Sequence, residues 1–400
     1  MIQAPVKSGS AAEVFLVFLR LGLTSFGGPV AHLAYFHEEF VRRRRWIDEQ
    51  AYADLVALCQ FLPGPTSSQV GFSLGVSRSG GLSGGLAAWL GFTLPSALVL
   101  LACATGAAVL SGPLAAGALH GLKLVAVAVV AQAVWGMARS LTPDRPRAGI
   151  ALAAVGIVSF LGGPFAQVGA ILCGALAGFL FLGAGEAPSG GGLRFPASRR
   201  QGLAALALFA ILLILPGLTG AADRSQGIAL FDGFYRAGAL VFGGGHVVLP
   251  LLEAETVARG WVDEEAFLAG YGLAQAVPGP LFAFAAWLGA LTRPPPDGAL
   301  GASIALIAVF APGLLLVYGA SPFWEKLRAQ PAARRALTGA NAAVVGVLGA
   351  ALHDPVWTSA VLSPQDFALA LGGFLLLMVW KAPSWAVVLG LAAAGAVLSL

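Results

Sequence analysis

Hydrophobic residues follow one another in long stretches along almost the whole chain, and this pattern predicts an all-α, polytopic integral membrane protein. Thirteen apolar segments are separated by short polar loops, at 11–36, 50–76, 82–110, 116–138, 148–162, 165–184, 202–219, 228–252, 263–291, 299–320, 336–352, 366–380 and 384–400. A helix needs about 20 residues to cross a bilayer, so 148–162 is marginal and most other segments are long enough. We therefore expect about 12–13 apolar helical segments.

Composition supports the same class of protein. Hydrophobic residues make up 58% of the 400 residues and charged residues only 10%, whereas about 25% of residues are charged in soluble proteins. So few charges cannot cover this much apolar surface, and lipid must cover the rest. This excludes a soluble enzyme, a nucleic-acid-binding protein and a disordered chain. Because Cys59, Cys103 and Cys173 lie singly in apolar runs, we expect no disulfide framework, metal site or cofactor.

The chain contains an internal repeat. The motifs Phe18-Leu-Arg20-Leu-Gly22, Phe26-Gly-Gly-Pro29, Trp46-Ile-Asp48-Glu49 and Pro63-Gly-Pro65 recur as Phe234-Tyr-Arg236-Ala-Gly238, Phe242-Gly-Gly-Gly245, Trp261-Val-Asp263-Glu264 and Pro278-Gly-Pro280. This many collinear matches indicate a tandem duplication. We therefore predict a first repeat at 1–185, a polar linker at 186–201, an extra apolar segment at 202–219 and a second repeat at 220–400.

Charges in the loops indicate that the two repeats have opposite orientations. The basic run Arg42 to Arg45 corresponds to a stretch in the second repeat that contains Glu253, Glu255 and Asp263 to Glu265. Two further loop pairs also exchange a basic loop for a non-basic one. Since cytoplasmic loops carry an excess of Lys and Arg, this exchange predicts an inverted-topology repeat, which many secondary transporters have.

A count of the segments disagrees with this interpretation. If 50–76 is a re-entrant hairpin and every other segment spans the membrane, six crossings separate Arg45 from Glu253. An even number would place both loops on the same side. The charges therefore require either that 50–76 spans or that one of the segments 148–162, 165–184 and 202–219 does not.

Glycine and proline interrupt two helices in each repeat at matching places. The first interruption contains Gly27 and Gly28 in one repeat and Gly243, Gly244 and Gly245 in the other; the second consists of Pro63, Gly64 and Pro65, matched by Pro278, Gly279 and Pro280. In a bilayer, backbone groups freed by such breaks are tolerated where they are buried or line a wet cavity. Paired breaks of this kind indicate a transporter binding site, and we predict that the four breaks converge near the middle of the bilayer. The alternative is that they are kinks or packing sites.

Arg20 and Arg236 are repeat-equivalent arginines inside apolar segments. An intramembrane arginine is costly and is by default a functional residue. We expect no Asp or Glu within either helix core to neutralise them, so we predict that both bind an anion; the alternatives are snorkelling to the interface and a structural ion pair. Lys123 is a third candidate cation, with Asn341 at the equivalent position.

Two further pairs of polar residues flank the breaks. His32 and His246 each follow a glycine break and could bind an anion or carry a proton, although a packing role is the alternative. Gln60 and Gln275 each precede the proline break by three residues and could donate to an oxyanion or cap the broken helix. No motif of a hydrolase, a metalloprotease or a nucleotide-binding loop is present, so we predict no catalytic residues.

The combined pattern resembles the chromate ion transporter (CHR) family in its long, two-domain form. The resemblance rests on FGGP with His32, Arg45-Trp46-Ile-Asp48 and Gln60-Phe-Leu-Pro-Gly-Pro65, and on the matching FGGGH, Gly260-Trp261-Val-Asp263 and Gln275-Ala-Val-Pro-Gly-Pro280. It covers nearly the whole chain. Because Pro29 is matched by Gly245 and Arg45 by Gly260, the halves have diverged, which argues against a strictly symmetric site.

The resemblance implies a multi-pass protein of the cytoplasmic (inner) membrane that exports chromate, driven by the proton motive force, and so confers chromate resistance. Its expected partners are the lipid bilayer and a small inorganic oxyanion, with sulfate as a related tetrahedral dianion. A carrier of sulfate or another oxyanion is one alternative, and a passive anion channel is another. A homodimer is an open alternative to a monomer.

Overall fold

A computed structural model describes residues 9–26, 28–107, 113–161, 163–183, 195–220, 225–242 and 245–399, and it shows only helices, turns and loops in them. Five helices are long and apolar enough to cross a membrane: Leu82–Gly106, Leu114–Leu141, Arg199–Thr219, Gly298–Phe323 and Pro331–Ala360. The prediction of an all-α polytopic protein with two homologous halves is therefore confirmed. Part of the predicted linker, 186–194, lies outside the described residues.

The first repeat contains eight described helices. They are α1 (Ala11–Thr24), α2 (Gly28–Phe36, extended by a π-helical turn at His37–Arg43), α3 (Glu49–Phe61), α4 (Thr66–Ser79), α5 (Leu82–Ala107), α6 (Pro113–Leu141), α7 (Arg145–Leu161) and α8 (Gly163–Phe181). Side-chain caps fix two of the starts, since Ser10 accepts from the Glu13 amide and Asp48 from the Ala51 amide. The extra apolar segment forms α9 (Arg199–Thr219).

The second repeat has the same order of elements, except that its short helix Trp324–Arg328 has no described counterpart in the first repeat. Its helices are α10 (Gln226–Ala239), α11 (Val248–Thr256), α12 (Glu264–Ala274), α13 (Phe284–Leu291), α14 (Gly298–Ala320), α15 (Trp324–Arg328), α16 (Pro331–Ala351), α17 (Pro364–Met378) and α18 (Ser384–Leu398). Short 3₁₀ turns at Gly245–Val247 and Leu281–Ala283 precede α11 and α13, and a π-helical turn, Leu352–Trp357, follows α16.

The first apolar segment of each repeat folds back on itself and does not span. The ring of Phe18 in α1 lies 5.6 Å from that of Phe36 and 5.0 Å from that of Phe40. A continuous helix would separate Phe18 from Phe36 by about 27 Å. The chain therefore reverses at its glycine break, and α1 and α2 form a hairpin. In the second repeat the ion pair between Arg236 and Glu255 closes α10 and α11 in the same way.

The second interruption is also the tip of a hairpin. Arg78 at the end of α4 pairs with Glu13 at the start of α1, and its guanidinium lies 5.0 Å from the ring of Trp46, just before α3. Hence α3 begins and α4 ends at the same level. In the second repeat the amide of Arg293, after α13, donates to the carbonyl of Trp261, before α12.

These four hairpins correct the segment count from the sequence. Segments 11–36, 50–76, 228–252 and 263–291 each return to the side they enter from. Between Arg45 and Glu253, α5, α6 and α9 are long and apolar enough to cross the membrane. α8 returns beside α7 to the level where α7 begins, since Pro146 and Leu182 line one cavity. The number of crossings is therefore odd, which places Arg45 and Glu253 on opposite sides. Neither of the two explanations given above for the disagreement is needed. The segment that was wrongly counted as a membrane span between Arg45 and Glu253 is 228–252.

The repeat-equivalent helices α5 and α14 run antiparallel, which shows that the halves are inverted. The rings of Trp89 and Phe310 lie 5.8 Å apart, and further along α5, Ala97 packs with Ala302 near the other end of α14. Since α5 is one continuous helix of 26 residues, it is long enough to cross a bilayer. The repeats are therefore related by a pseudo-twofold axis perpendicular to these helices.

The two ends of the bundle differ in charge. α5 begins next to Arg78, where the hairpins of the first repeat open, and ends next to Arg293 and Asp297, where those of the second repeat open. We call the first end the basic side; it carries Arg42 to Arg45, Arg78, Arg139, Arg145, Arg147, Arg199 and Arg200. We call the other end the acidic side; it carries Asp263, Glu264, Glu265, Asp297 and Asp354. The positive-inside rule predicts that the basic side is cytoplasmic.

Candidate functional site

The tips of the four hairpins meet in the centre of the bundle. The amide of Gly64 donates to the carbonyl of Val241 at 2.7 Å, and the amide of Gly279 donates to the carbonyl of Ser25 at 2.9 Å. Gly64 and Gly279 are repeat-equivalent, and so are Ser25 and Val241. The prediction that the breaks converge is therefore confirmed for the described residues. Gly27, Gly243 and Gly244 lie outside them.

Glycine is required at the two proline-flanked tips. Gly64 has φ 122° and Gly279 has φ 105°, a region that residues with a Cβ rarely adopt. A Cβ at Gly64 would lie 2.8 Å from the Cα of Gly313, and one at Gly279 would lie 2.9 Å from the Oγ of Ser96. The prolines on either side of these glycines also lie inside the bundle: Pro65 and Pro280 are buried, and Pro63 and Pro278 are half-buried.

The remaining glycine tips contact each other across the pseudo-twofold axis. Gly245 is buried, and a Cβ there would lie 3.2 Å from the Cγ of Pro29, its own repeat equivalent. Gly28 has φ 77° and open space where a Cβ would project. The exchange of proline for glycine at this position therefore lets the two tips approach closely on one side of the axis.

His32 joins the first glycine tip to the start of α4. The side chain is buried, with Nε2 3.2 Å from the carbonyl oxygen of Ser25 and Nδ1 3.3 Å from Oγ of Ser67. Because a carbonyl oxygen can only accept, Nε2 carries a hydrogen and donates it. In the neutral ring, Nδ1 then accepts from the Ser67 hydroxyl. The ring packs edge-on against Phe92, with 5.1 Å between centroids.

Buried hydroxyl groups without partners lie on Ser25 and on the residues that follow Ser67 and Phe92, the other contacts of this histidine, and we call them the hydroxyl cluster. The Oγ atoms of Ser25 and Ser68 and the Oγ1 of Thr93 form no hydrogen bond within the described part of the chain. Ser68 lies in the first turn of α4, whose N-cap residue Pro65 provides no side-chain cap. A helix N-terminus presents free amide donors and the positive end of the helix dipole. Amides and hydroxyls together form an arrangement that can replace the hydration shell of an anion.

The equivalent tip of the second repeat is apolar. Leu281, Phe282 and Ala283 occupy the place of Thr66, Ser67 and Ser68 after the proline motif, and all three are buried. Because Phe282 has no hydroxyl, His246 has no partner equivalent to Ser67. Its Nδ1 instead lies 2.7 Å from the phenol oxygen of Tyr271. The potential for anion binding is thus concentrated in the first repeat.

The glutamines that flank the proline motifs have different environments. Gln60 is exposed, whereas Gln275 is half-buried and its Nε2 has no hydrogen-bond partner within the described residues. The residue that seals the first proline tip is Gln69, which the sequence analysis missed. Its Nε2 donates to the carbonyls of Pro63 at 2.9 Å and Gly313 at 3.0 Å. Its position on α4, just after the break, was the available signal.

Arg236 is neutralised by two acids, so the expectation that no carboxylate lies nearby was wrong. Its guanidinium pairs with the buried Asp232 one turn earlier in α10 and, at 3.0 Å, with Glu255 in α11. Glu255 also accepts from Arg259 at 2.8 Å. The spacing of Asp232 and Arg236 was visible in the sequence, but the contact with Glu255 depends on the hairpin.

None of the other predicted cations forms a hydrogen bond with the hydroxyl cluster in the described part of the chain. Arg20 is on the exposed face of α1 beside Leu16 and Leu23, and it forms no ion pair with the residues that the structure describes. Lys123 is buried on α6, with Nζ 3.1 Å from Oε1 of Glu265. Asn341 is half-buried on α16. The structure therefore does not bring these three side chains to one point.

Two arginines at the start of α16 have unpaired nitrogens near the basic side. Nε and Nη1 of Arg334 and Nε of Arg335 are buried and have no hydrogen-bond partner within the described residues. Both lie in the first two turns of α16. The preceding helix α15 borders the second hairpin, since the ring of Trp324 lies 5.6 Å from that of Phe61. This region could attract anions toward the tips.

The described residues contain no group of three or more His, Cys, Asp or Glu side chains placed to hold a metal ion. A cavity of about 700 Å³ lies between α9 and the repeats, and its lining is nearly all hydrocarbon. The polar groups at the hairpin tips are therefore the best candidate for a small-anion site in the described residues.

Comparison with known proteins agrees with the division of the chain into two repeats. A family model described as Chromate transporter matches residues 12–179 and 228–396, one region in each repeat. The chain is 29% identical to a chromate transport protein of Pseudomonas aeruginosa, with 93% of this chain and 88% of that protein covered. It is 29% identical to a probable chromate transport protein of Synechococcus elongatus, with 86% of each covered.

A chromate transport protein of Cupriavidus metallidurans is 28% identical, with 85% of this chain and 81% of that protein covered. No solved structure shows significant similarity. The family match accounts for most of both repeats, which are also the parts that carry the four hairpins. This protein, embedded in the membrane by its apolar helices, therefore belongs to the chromate transporter family.

Proposed function

We propose that this protein is a secondary active transporter that exports chromate across the cytoplasmic membrane, driven by the proton motive force, and so confers chromate resistance. Its family and the chromate transport proteins that it resembles along most of its length support transport of a small oxyanion. Sulfate has the same tetrahedral shape and charge, and we propose that it competes for the same site.

The observation that carries the proposed site is the group of unpaired hydroxyls at the tips in the first repeat. A dianion leaves water only if donors replace its hydration shell. The amides in the first turn of α4 and the hydroxyls of Ser25, Ser68 and Thr93 supply such donors. The hydrogen bonds of His32 to the Ser25 carbonyl and to Ser67 hold the glycine tip against the start of α4. Arg20 remains a predicted contributor of charge, whereas the two acids beside Arg236 argue for a structural role of that residue.

The membrane potential favours export of a dianion from a cytoplasm that is electrically negative. Each elementary charge that crosses contributes about 2.3 kcal/mol per 100 mV, so two charges contribute about 4.6 kcal/mol. We place the cytoplasm at the basic side, where the unpaired nitrogens of Arg334 and Arg335 would collect anions. The potential component of the proton motive force therefore contributes directly to the driving force for export.

The reciprocal hydrogen bonds between the tips suggest how access alternates. The two hairpins of the first repeat open toward the basic side and those of the second toward the acidic side, and Gly64 and Gly279 link each pair to the other. Rocking of one pair against the other would break one link and expose the hydroxyl cluster to one side at a time. This movement would be that of a carrier and not of a channel.

Chromate uptake into everted membrane vesicles tests the proposal. We expect saturable uptake that sulfate inhibits and that collapses when the membrane potential is dissipated. Ser68→Ala and Thr93→Ala should reduce uptake, whereas Ser303→Ala, at an exposed serine of α14, should not. Unsaturable flux would indicate the channel, and uptake of sulfate alone would indicate a different oxyanion carrier.

A further inference from the structure

The helix α9 contacts the two repeats at only a few places, and a cleft separates it from them elsewhere. Only 11% of its most apolar window is buried, against 39% to 61% in the other four long apolar helices. It touches α14 where Gly202 approaches Gly319, and its Phe209 carbonyl accepts from the hydroxyl of Tyr235 at 3.2 Å. Between these contacts lies a cavity of about 700 Å³.

The lining of this cleft is hydrocarbon over most of its length. One wall is formed by a single face of α9, with Gln201, Ala204, Ala205, Leu208 and Leu212 at helical spacing. The facing wall comes from α5 and α14 and contains Leu86, Ile307 and Leu314. A cleft of this composition that faces the bilayer favours an apolar chain over water.

The length of the cleft matches one leaflet of a membrane. Gln201 lies in the first turn of α9 at the basic side, and Leu212 lies 11 residues further on. At 1.5 Å per residue this distance is about 16 Å, and half of the hydrocarbon core is about 15 Å. The cleft therefore runs from the headgroup level of the basic side to the middle of the bilayer.

Two arginines stand at the headgroup end. Arg199 and Arg200 are exposed in the first turn of α9, where positive charge opposes the helix dipole. The helix start does not depend on them, because Ser198 and Gln201 form a reciprocal capping box. Anionic lipids are enriched in the cytoplasmic leaflet, which is where the charge distribution places this end.

We propose that this cleft binds one acyl chain of an anionic phospholipid from the leaflet at the basic side, with Arg199 and Arg200 at its headgroup. The bound chain completes the packing between α9 and the two repeats. Nothing in this proposal depends on which anion the protein transports.

Native mass spectrometry of the purified full-length protein tests the proposal. The protein is stripped of lipid in detergent and titrated with phosphatidylglycerol or with phosphatidylcholine of identical acyl chains. We expect one phosphatidylglycerol to bind more tightly than phosphatidylcholine by about twenty-five-fold, since each of the two arginines near an anionic headgroup contributes about fivefold. Equal affinity of the wild type for both lipids would overturn the proposal.

Matched variants separate the cleft from the general lipid surface. Ala204→Phe fills the cleft and should abolish the tight site, whereas Ala207→Phe, on another exposed face of α9, should keep it. The double variant Arg199→Gln/Arg200→Gln should lose the preference for phosphatidylglycerol. Arg139→Gln/Arg145→Gln removes two exposed arginines of the same side and should retain it.

A second filling variant guards against misfolding. Ile307→Trp narrows the cleft from α14 and should also remove the tight site. Monodisperse elution of each variant shows that it is folded. If Ala204→Phe and Ile307→Trp are folded and still bind phosphatidylglycerol as the wild type does, the cleft is not the lipid site.

Discussion

The amide of Gly64 donates a hydrogen bond to the carbonyl of Val241, 2.7 Å away in the other repeat. The repeat-equivalent bond runs from Gly279 to Ser25. Each proline-flanked tip is therefore held by the glycine tip of the opposite half. Four interruptions, far apart in the sequence, thus become a single structure that both halves complete.

Substitution at the tip should therefore impair transport more than strain alone does. In Gly64→Ala the new Cβ would clash with the backbone of Gly313, and the alanine would have to keep a φ of 122°, which residues with a Cβ rarely adopt. Backbone strain of this kind costs about 1–3 kcal/mol. We expect a severe loss of transport in vesicles. Gly80→Ala is the control, because Gly80 has φ 77° but open space around it. Equal effects of the two variants would show that the contact with Gly313 does not matter.

The inversion of the halves predicts opposite accessibility of two loops. In a variant without Cys59, Cys103 and Cys173, an impermeant maleimide applied to intact cells should label Ala258→Cys and not Arg42→Cys. Both positions are exposed at opposite ends of the bundle. Permeabilised cells, in which both should react, provide the control. Labelling of both from outside would contradict the inverted arrangement.

The two repeat-equivalent arginines should differ in their effect on stability. Arg236→Gln leaves the buried Asp232 and the Glu255 carboxylate without their main partner, and breaking such a pair costs about 3 kcal/mol. We expect a lower unfolding temperature, partly restored by adding Asp232→Asn. Arg20→Gln should leave the unfolding temperature unchanged, because Arg20 forms no ion pair with the described residues.

Arg20→Gln also tests the predicted contribution of that residue to anion binding. Because the variant should fold normally, we expect it to lose most chromate transport if its charge attracts the anion. Membrane abundance is measured in parallel. Wild-type transport by a normally inserted Arg20→Gln would remove Arg20 from the site and leave the hydroxyl cluster as its basis.

His32 and Ser67 should act as one unit. Their hydrogen bond predicts that His32→Ala and Ser67→Ala are not additive, with a coupling energy of about 1 kcal/mol in transport efficiency. The double-mutant cycle is measured from initial rates of chromate uptake. His246→Ala with Tyr271→Phe is the matched cycle in the second repeat. We expect smaller losses there, and additive losses at His32 and Ser67 would contradict this coupling.

The sequence predicted much of this architecture because duplication leaves a readable pattern. The matched Gly and Pro motifs predicted which segments converge, and the loop charges predicted the inversion. Of the four hairpins, only 50–76 was considered as re-entrant from the sequence. The other three were missed because a kinked span and a re-entrant hairpin share the same hydropathy and the same Gly or Pro break. Only contacts such as Phe18 with Phe40 distinguish them.

The candidate site was less accessible from sequence. The charge of Arg236 inside an apolar segment was visible in the sequence. Its ion pair with Glu255 was not, because the hairpin of α10 and α11 brings the two side chains together. The hydroxyls of Ser25, Ser68 and Thr93 are common residue types, and their lack of partners emerges only from packing. The contrast between Ser67 and Phe282 was visible, but its meaning depended on knowing that both lie at the tips.

The extra helix α9 is what gives the two copies of the repeat opposite orientations in the membrane. Each repeat contributes an even number of crossings, because in the first repeat α5 and α6 cross and α8 returns beside α7. Each repeat therefore begins and ends on the same face of the membrane. Two such units fused directly would lie parallel, and Gly64 could not reach Val241. One additional crossing turns the second unit over. A protein with only one repeat would need copies inserted in both orientations to bring four hairpin tips together in this way. In the present chain, α9 fixes both orientations in one polypeptide.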